Sequence, residues 1–60
     1  MYYFNAVYTN MDSGEEIRRH IAFEGQILGG ERECYIYAMA RAFDMKEDNE
    51  NLDFVEFIAC

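Results

Sequence analysis

The chain opens on Tyr2-Tyr3-Phe4-Asn5-Ala6-Val7-Tyr8-Thr9, a run rich in aromatic and β-branched residues. Such side chains fit a pleated surface and lose rotamer freedom in a helix, so the run predicts a first strand. Asn10-Met11-Asp12-Ser13-Gly14-Glu15 follows. Asn and Asp tolerate left-handed backbone and Gly14 can take positive φ, which predicts a hairpin. The returning run from Ile17 sets Ile17, Ile21 and Phe23 on one face and Arg18, His20 and Glu24 on the other, with Arg19 as the exception. That period of two predicts a second strand with one wet face. Gly25 and Gly29-Gly30 then interrupt the pattern, so Gln26-Ile27-Leu28 reads as a connection that packs inward or as a strand end, and the two glycines as a turn.

From Glu31 to about Lys46 the spacing changes to 3.6, with Tyr35, Ile36, Met39, Ala42, Phe43 and Lys46 on one side. This predicts an amphipathic helix whose stripe Tyr35, Ile36, Met39 and Phe43 packs on the core. Glu31 and Glu33 suit the positive end of its dipole and Lys46 the negative end. Asp48-Asn49-Glu50-Asn51 is a polar break in which Asn can cap the helix, and 52–59 reads as a third strand. Strict alternation there points Phe54, Glu56 and Ile58 one way and Val55, Phe57 and Ala59 the other.

The order ββαβ restricts the topology, because the strand-helix-strand crossover is right-handed and the helix must cover a sheet face. The expected fold is α+β, a three-stranded antiparallel sheet of order 2-1-3 with one helix packed on one face. Strands two and three are then its edges. One short helix cannot hide Tyr2, Tyr3, Phe4, Val7, Tyr8, Phe54, Phe57 and Ile58 together, so aromatics are expected on the uncovered face. An exposed apolar patch on a small protein usually marks an interaction site. Tyr3, Val7, Phe54 and Ile58, with Arg18 and His20, are the expected contact residues.

Composition changes this picture mainly by exclusion. Sixty residues make one domain, 1–60, whose core leaves a thin margin, so an oligomer is a natural source of further stability. With 52% hydrophobic and 17% aromatic residues the chain can bury enough surface to fold. Twelve acids against five bases give a net charge of −7. That charge repels phosphate backbones and anionic membranes, so neither nucleic acid nor membrane is an expected partner. Met1 to Asn5 lack the basic region and apolar run of an export signal, no stretch is long and apolar enough to span a bilayer, and two cysteines do not make a disulfide framework. Cys34 on a helix face and Cys60 near a strand end read as reduced thiols of a cytoplasmic protein.

Candidate chemistry is sparse. His20 is the only histidine, which leaves no ligand set for zinc, and a Cys-His pair would need Cys34 or Cys60 to reach it. Arg18 and His20 could receive a carboxylate or phosphate, but pairing with neighbouring acids such as Glu24 is the simpler expectation. Asp44, Glu47, Asp48, Glu50 and Asp53 lack the glycine and ligand spacing of a calcium loop, and read as a solvated, like-charged helix end. No catalytic residue, cofactor or metal is expected. The expected function is a small acidic protein-interaction module forming a homodimer through the uncovered sheet face or an edge strand. The alternative is an acidic inhibitor or nucleic-acid mimic that binds a basic site on a larger protein.

Overall fold

The computed structural model describes residues 1–23 and 31–59. Gly25, the Gln26-Ile27-Leu28 connection, the Gly29-Gly30 turn, the pairing of Glu24 and the placement of Cys60 lie outside the described residues. Strand β1 spans Tyr2–Asn10, β2 Glu16–Phe23, helix α1 Glu31–Asp44 and β3 Glu50–Ala59. The sheet order is β2-β1-β3 with both pairings antiparallel, the α+β arrangement expected from the patterning.

The hairpin forms with Gly14 in the left-handed region as expected, while Asn10 contributes through its side chain and not through a left-handed backbone. Asn10 Oδ1 accepts from the amides of Asp12 and Ser13, at 2.8 and 3.1 Å, and Gly14 takes φ +76°. Its amide donates to Asn10 O at 2.7 Å, and Asn10 N donates to Glu15 O at 2.8 Å. The β1–β2 register then runs unbroken from Tyr2↔Phe23 to Thr9↔Glu16. The β1–β3 register does not. It shifts between Tyr3 and Phe4 and again between Val7 and Tyr8, which leaves Ile58 and Asp53 as extra residues on β3. A bulge resets alternation. Phe57 therefore faces α1 opposite Phe4, while Ala59, expected on the same side as Phe57, pairs with Tyr3 on the open side.

The core lies between the sheet and α1. Phe4, Ala6, Tyr8, Ile21 and Val55 meet Cys34, Ala38 and Ala42, with Tyr2, Ile17, Phe23, Tyr35, Met45 and Leu52 packed around them. Phe4 is its centre: Phe23, Tyr35 and Phe57 rings all lie within 5.7 Å of it, centroid to centroid.

The helix ends two residues earlier than expected and without an Asn cap. Met45 N donates to Arg41 O and Lys46 N to Phe43 O, and no described non-glycine residue has positive φ. Arg41, not Lys46, is the cation of the last turn. Asn49 instead ties this turn to the hairpin: its carbonyl accepts from Met11 N at 2.8 Å and its amide donates to Asp12 Oδ2 at 3.1 Å.

Candidate interaction surfaces

On the sheet face away from α1, alternation and register bring together Tyr3, Val7, Arg18, His20 and Phe54, five of the six expected contact residues. Ile58, the sixth, is exposed as the extra residue of the bulge near the end of β3, where the register assigns it to neither face. The face is not the apolar patch the strand aromatics suggested. Val7 is fully buried, flanked by Arg18 and Phe54, and offers nothing to a partner. Tyr3 stacks on His20 at 5.7 Å. Arg18 reaches across β1 to Glu56 at 2.8 Å and to Glu16 at 3.3 Å, and Asn5 donates to the same Glu56 oxygen. Toward the hairpin Asp53 accepts from Thr9 at 2.5 Å and from Asn51 at 2.7 Å. Of the large apolar side chains that the register places on this face among the described residues, Phe54 is the exposed one. Surface ion pairs of this kind contribute little energy, but they occupy the charges that would otherwise hold a ligand.

Beneath the C-terminal end of α1 lies a polar cluster that explains why Arg19 breaks the alternation of β2. Arg19 faces the helix side and makes a two-pronged pair with Glu50, Nη1–Oε1 2.6 Å and Nη2–Oε2 2.8 Å. Glu50 also accepts from Glu47 N at 2.9 Å and is 3% exposed. Expected among solvated acids, it is instead the buried acid among the described residues, and it supplies the counter-charge of the partly buried Arg19. The Arg19 bonds, then the Glu47 amide, hold the Glu50 carboxyl down at about 2, and Glu50 pushes the Arg19 guanidinium up. Arg19 lies 4.7 Å above the Tyr8 ring. The Tyr8 hydroxyl donates to Ala42 O at 2.7 Å, satisfying a carbonyl of the last turn, and burial pushes it up despite Arg19.

The third surface is the outer side of α1. The expected core stripe is turned outward: Ile36 is 54% exposed, Met39 36% and Phe43 60%. The inward residues are Cys34, Ala38 and Ala42, with Tyr35 on the boundary against Phe4. The sheet supplies bulky rings, and α1 approaches closely enough for Tyr8 to reach its backbone only because small residues face it. The i, i+4, i+8 spacing of Cys34, Ala38 and Ala42 is the signal that could have revealed this phase.

Tyr35, Ile36, Met39, Ala40 and Phe43 line a shallow hollow of about 360 Å³. On one flank Tyr37 rests on Phe23 of β2 at 4.8 Å. The opposite flank therefore leans toward β3, where Phe57 is 38% exposed on the α1 side. Asp44, Glu47 and Asp48, all exposed, follow directly at the C-terminal end.

His20 is exposed on the open face and Cys34 is buried under α1, so the sheet separates them. Among the described residues no three His, Cys, Asp or Glu side chains are placed to share a metal ion. No described helix is long and apolar enough to cross a membrane. No protein family's sequence pattern matches this chain, and no characterised protein or solved structure shows significant similarity to it.

Proposed function

We propose that this chain is a small acidic protein-interaction module that receives another protein on the outer stripe of α1. One observation carries the reading: Ile36, Met39 and Phe43 are exposed on the outer face of the helix, while alanines and a cysteine face the core among the described residues. Large contiguous apolar side chains on a small domain are costly to leave wet and usually mark a binding site. Met adds adaptability, since its unbranched thioether repacks around differing partners. Cys34, a buried free thiol, suits a reducing, cytoplasmic setting.

Self-association through the uncovered sheet face or an edge has less support. The sheet face satisfies its own charges and buries Val7. The β3 edge is bent twice by bulges, a device that blunts strand pairing. Action as an acidic inhibitor has its own observation: Asp12, Glu15, Asp44, Glu47, Asp48 and Asp53 gather where the hairpin and the α1–β3 turn are tied together.

Affinity capture from the native host, with wild type beside an Ile36→Glu, Phe43→Ser variant, tests the reading. The expected result is a partner held by wild type and lost by the variant. Identical partners with both proteins would remove the helix stripe from the function. A partner lost only in high salt, and equally by both, would favour the acidic inhibitor.

A further inference from the structure

We infer that the occupant of the α1 stripe is a basic amphipathic helix presented by another protein. This inference rests on the interaction-module reading and names the chemistry of its partner.

The shape comes first. Ile36, Met39 and Phe43 recur at i, i+3 and i+7, and with Tyr35 and Ala40 they form the 360 Å³ hollow. From Ile36 to Phe43 is about 10 Å along the axis. A partner helix matches that length with two or three apolar side chains on one face, the anchoring pattern of helix-in-groove recognition. An extended strand would instead need an unpaired backbone edge beside the hollow, and the nearest edge, β3, is the bulged one.

Charge then selects the partner. The ion pairs among the described residues consume Arg18 and Arg19 internally, with Glu16, Glu56 and Glu50. Lys46 donates to the Glu47 carbonyl. Asp44, Glu47 and Asp48 make no ion pair among the described residues and follow the Phe43 end of the stripe along the chain; Arg32 and Arg41, exposed on α1, are unpaired there too, so the acidic rim lies at the Phe43 end alone. The chain as a whole carries −7. A helix with Lys or Arg flanking its apolar anchors meets this rim favourably and is steered to it over long range. A second copy brings another −7 to the same surface and is repelled. An anionic lipid surface is repelled in the same way. The contact is a single helix face, so its area falls at the small, transient end of interfaces and the affinity is expected in the micromolar range.

The test titrates the full chain with a synthetic Leu/Lys amphipathic helix of roughly 18 residues, about five turns, and with a Leu/Glu helix of identical apolar face. Calorimetry at low and physiological salt reads the binding, and far-UV circular dichroism checks that each variant keeps its helix. The expected result is 1:1 binding of the Leu/Lys peptide, weakened by salt, with none for Leu/Glu. Ile36→Glu adds a negative charge while removing an apolar anchor, so it is expected to weaken binding by about tenfold or more. Unchanged or tighter binding by Ile36→Glu overturns the inference, because charge alone would then hold the peptide. Equal binding of both peptides overturns it as well. Sedimentation separates the two levels of the argument. A wild-type dimer that Ile36→Glu converts to monomer replaces the basic helix with a second copy and leaves the interaction reading standing. A monomer that binds neither peptide overturns the basic-helix inference alone, and the capture comparison of wild type with the Ile36→Glu, Phe43→Ser variant then decides the interaction reading.

Discussion

The two faces of α1 divide the apolar residues of the helix in the opposite way from most surface helices. Inward are Cys34, Ala38 and Ala42; outward are Ile36, Met39 and Phe43. A helix on a sheet normally turns its largest apolar side chains to the core. Here the sheet brings the bulk, with Phe4 and Tyr8 fully buried beneath the helix, and the helix brings closeness. Tyr8 Oη reaching Ala42 O at 2.7 Å is the measure of that closeness. The inner face is fixed by fit, and the outer face stands exposed. Substitutions on the two faces should therefore separate stability from binding.

The largest loss is expected at the ring the inner face packs on. Phe4→Ala removes the hub of three ring contacts, and a buried Phe→Ala change costs about 3–5 kcal/mol. A 60-residue domain holds roughly 3–9 kcal/mol in all. Urea or thermal unfolding should show little or no cooperative transition; a transition close to that of wild type would mean the core is centred elsewhere. Ala38→Leu tests the fit itself. Extra methylenes in a fully buried site cost about 1–3 kcal/mol by overpacking. The substitution raises helix hydrophobicity, so a stabilised variant would show that the inner face has room and that closeness is not what chose alanine.

The polar cluster under the same face gives a pH dependence of known sign. Glu50 is held down at about 2 against an ordinary 4.5, so its stabilising contribution is whole above about pH 4.5 and is lost as pH falls toward 2. Tyr8 is pushed up by burial, so the fold favours its neutral form; that contribution is whole below about 10 and is lost as pH rises past its raised value. Melting temperatures recorded from neutral pH down to about 2 should show Glu50→Gln less stable at neutrality and converging on wild type in acid. Parallel curves would show that the Arg19–Glu50 pair does not couple to folding.

How far these two faces could be foreseen follows from which rules act locally. The strands, the Asn10–Gly14 turn and the order 2-1-3 follow from period-two runs, turn residues and crossover handedness, all readable along the chain. The phase of α1 does not. Both of its faces are apolar, and ranking them by bulk chooses Ile36, Met39 and Phe43, whereas the fold ranks them by complementarity to Phe4 and Tyr8. The bulges at Asp53 and Ile58 arise from pairing with β1, which no single strand encodes, so alternation carried Ala59 to the wrong face. Arg19 showed as a broken alternation, and Glu50 gave no local sign of being its partner across 31 residues of chain. The same gap hid the exposure of Ile36, Met39 and Phe43, which their bulk assigns to the core.

The smallest expected stability change is on the outer face, and its smallness is the sharpest form of the comparison. Phe43 is 60% exposed and one residue from the end of α1, so Phe43→Ser removes little buried surface. Substitutions at such positions usually stay within about 0.5 kcal/mol. Chemical denaturation should place Phe43→Ser on the wild-type curve while its affinity for a basic amphipathic helix falls. A loss of more than about 1 kcal/mol would mean that Phe43 supports the fold from outside, for instance through the α1–β3 turn that Phe43 O joins by accepting from Lys46 N. The outer stripe would then be a second, thinner core, and its wet aromatics would need no partner to explain them.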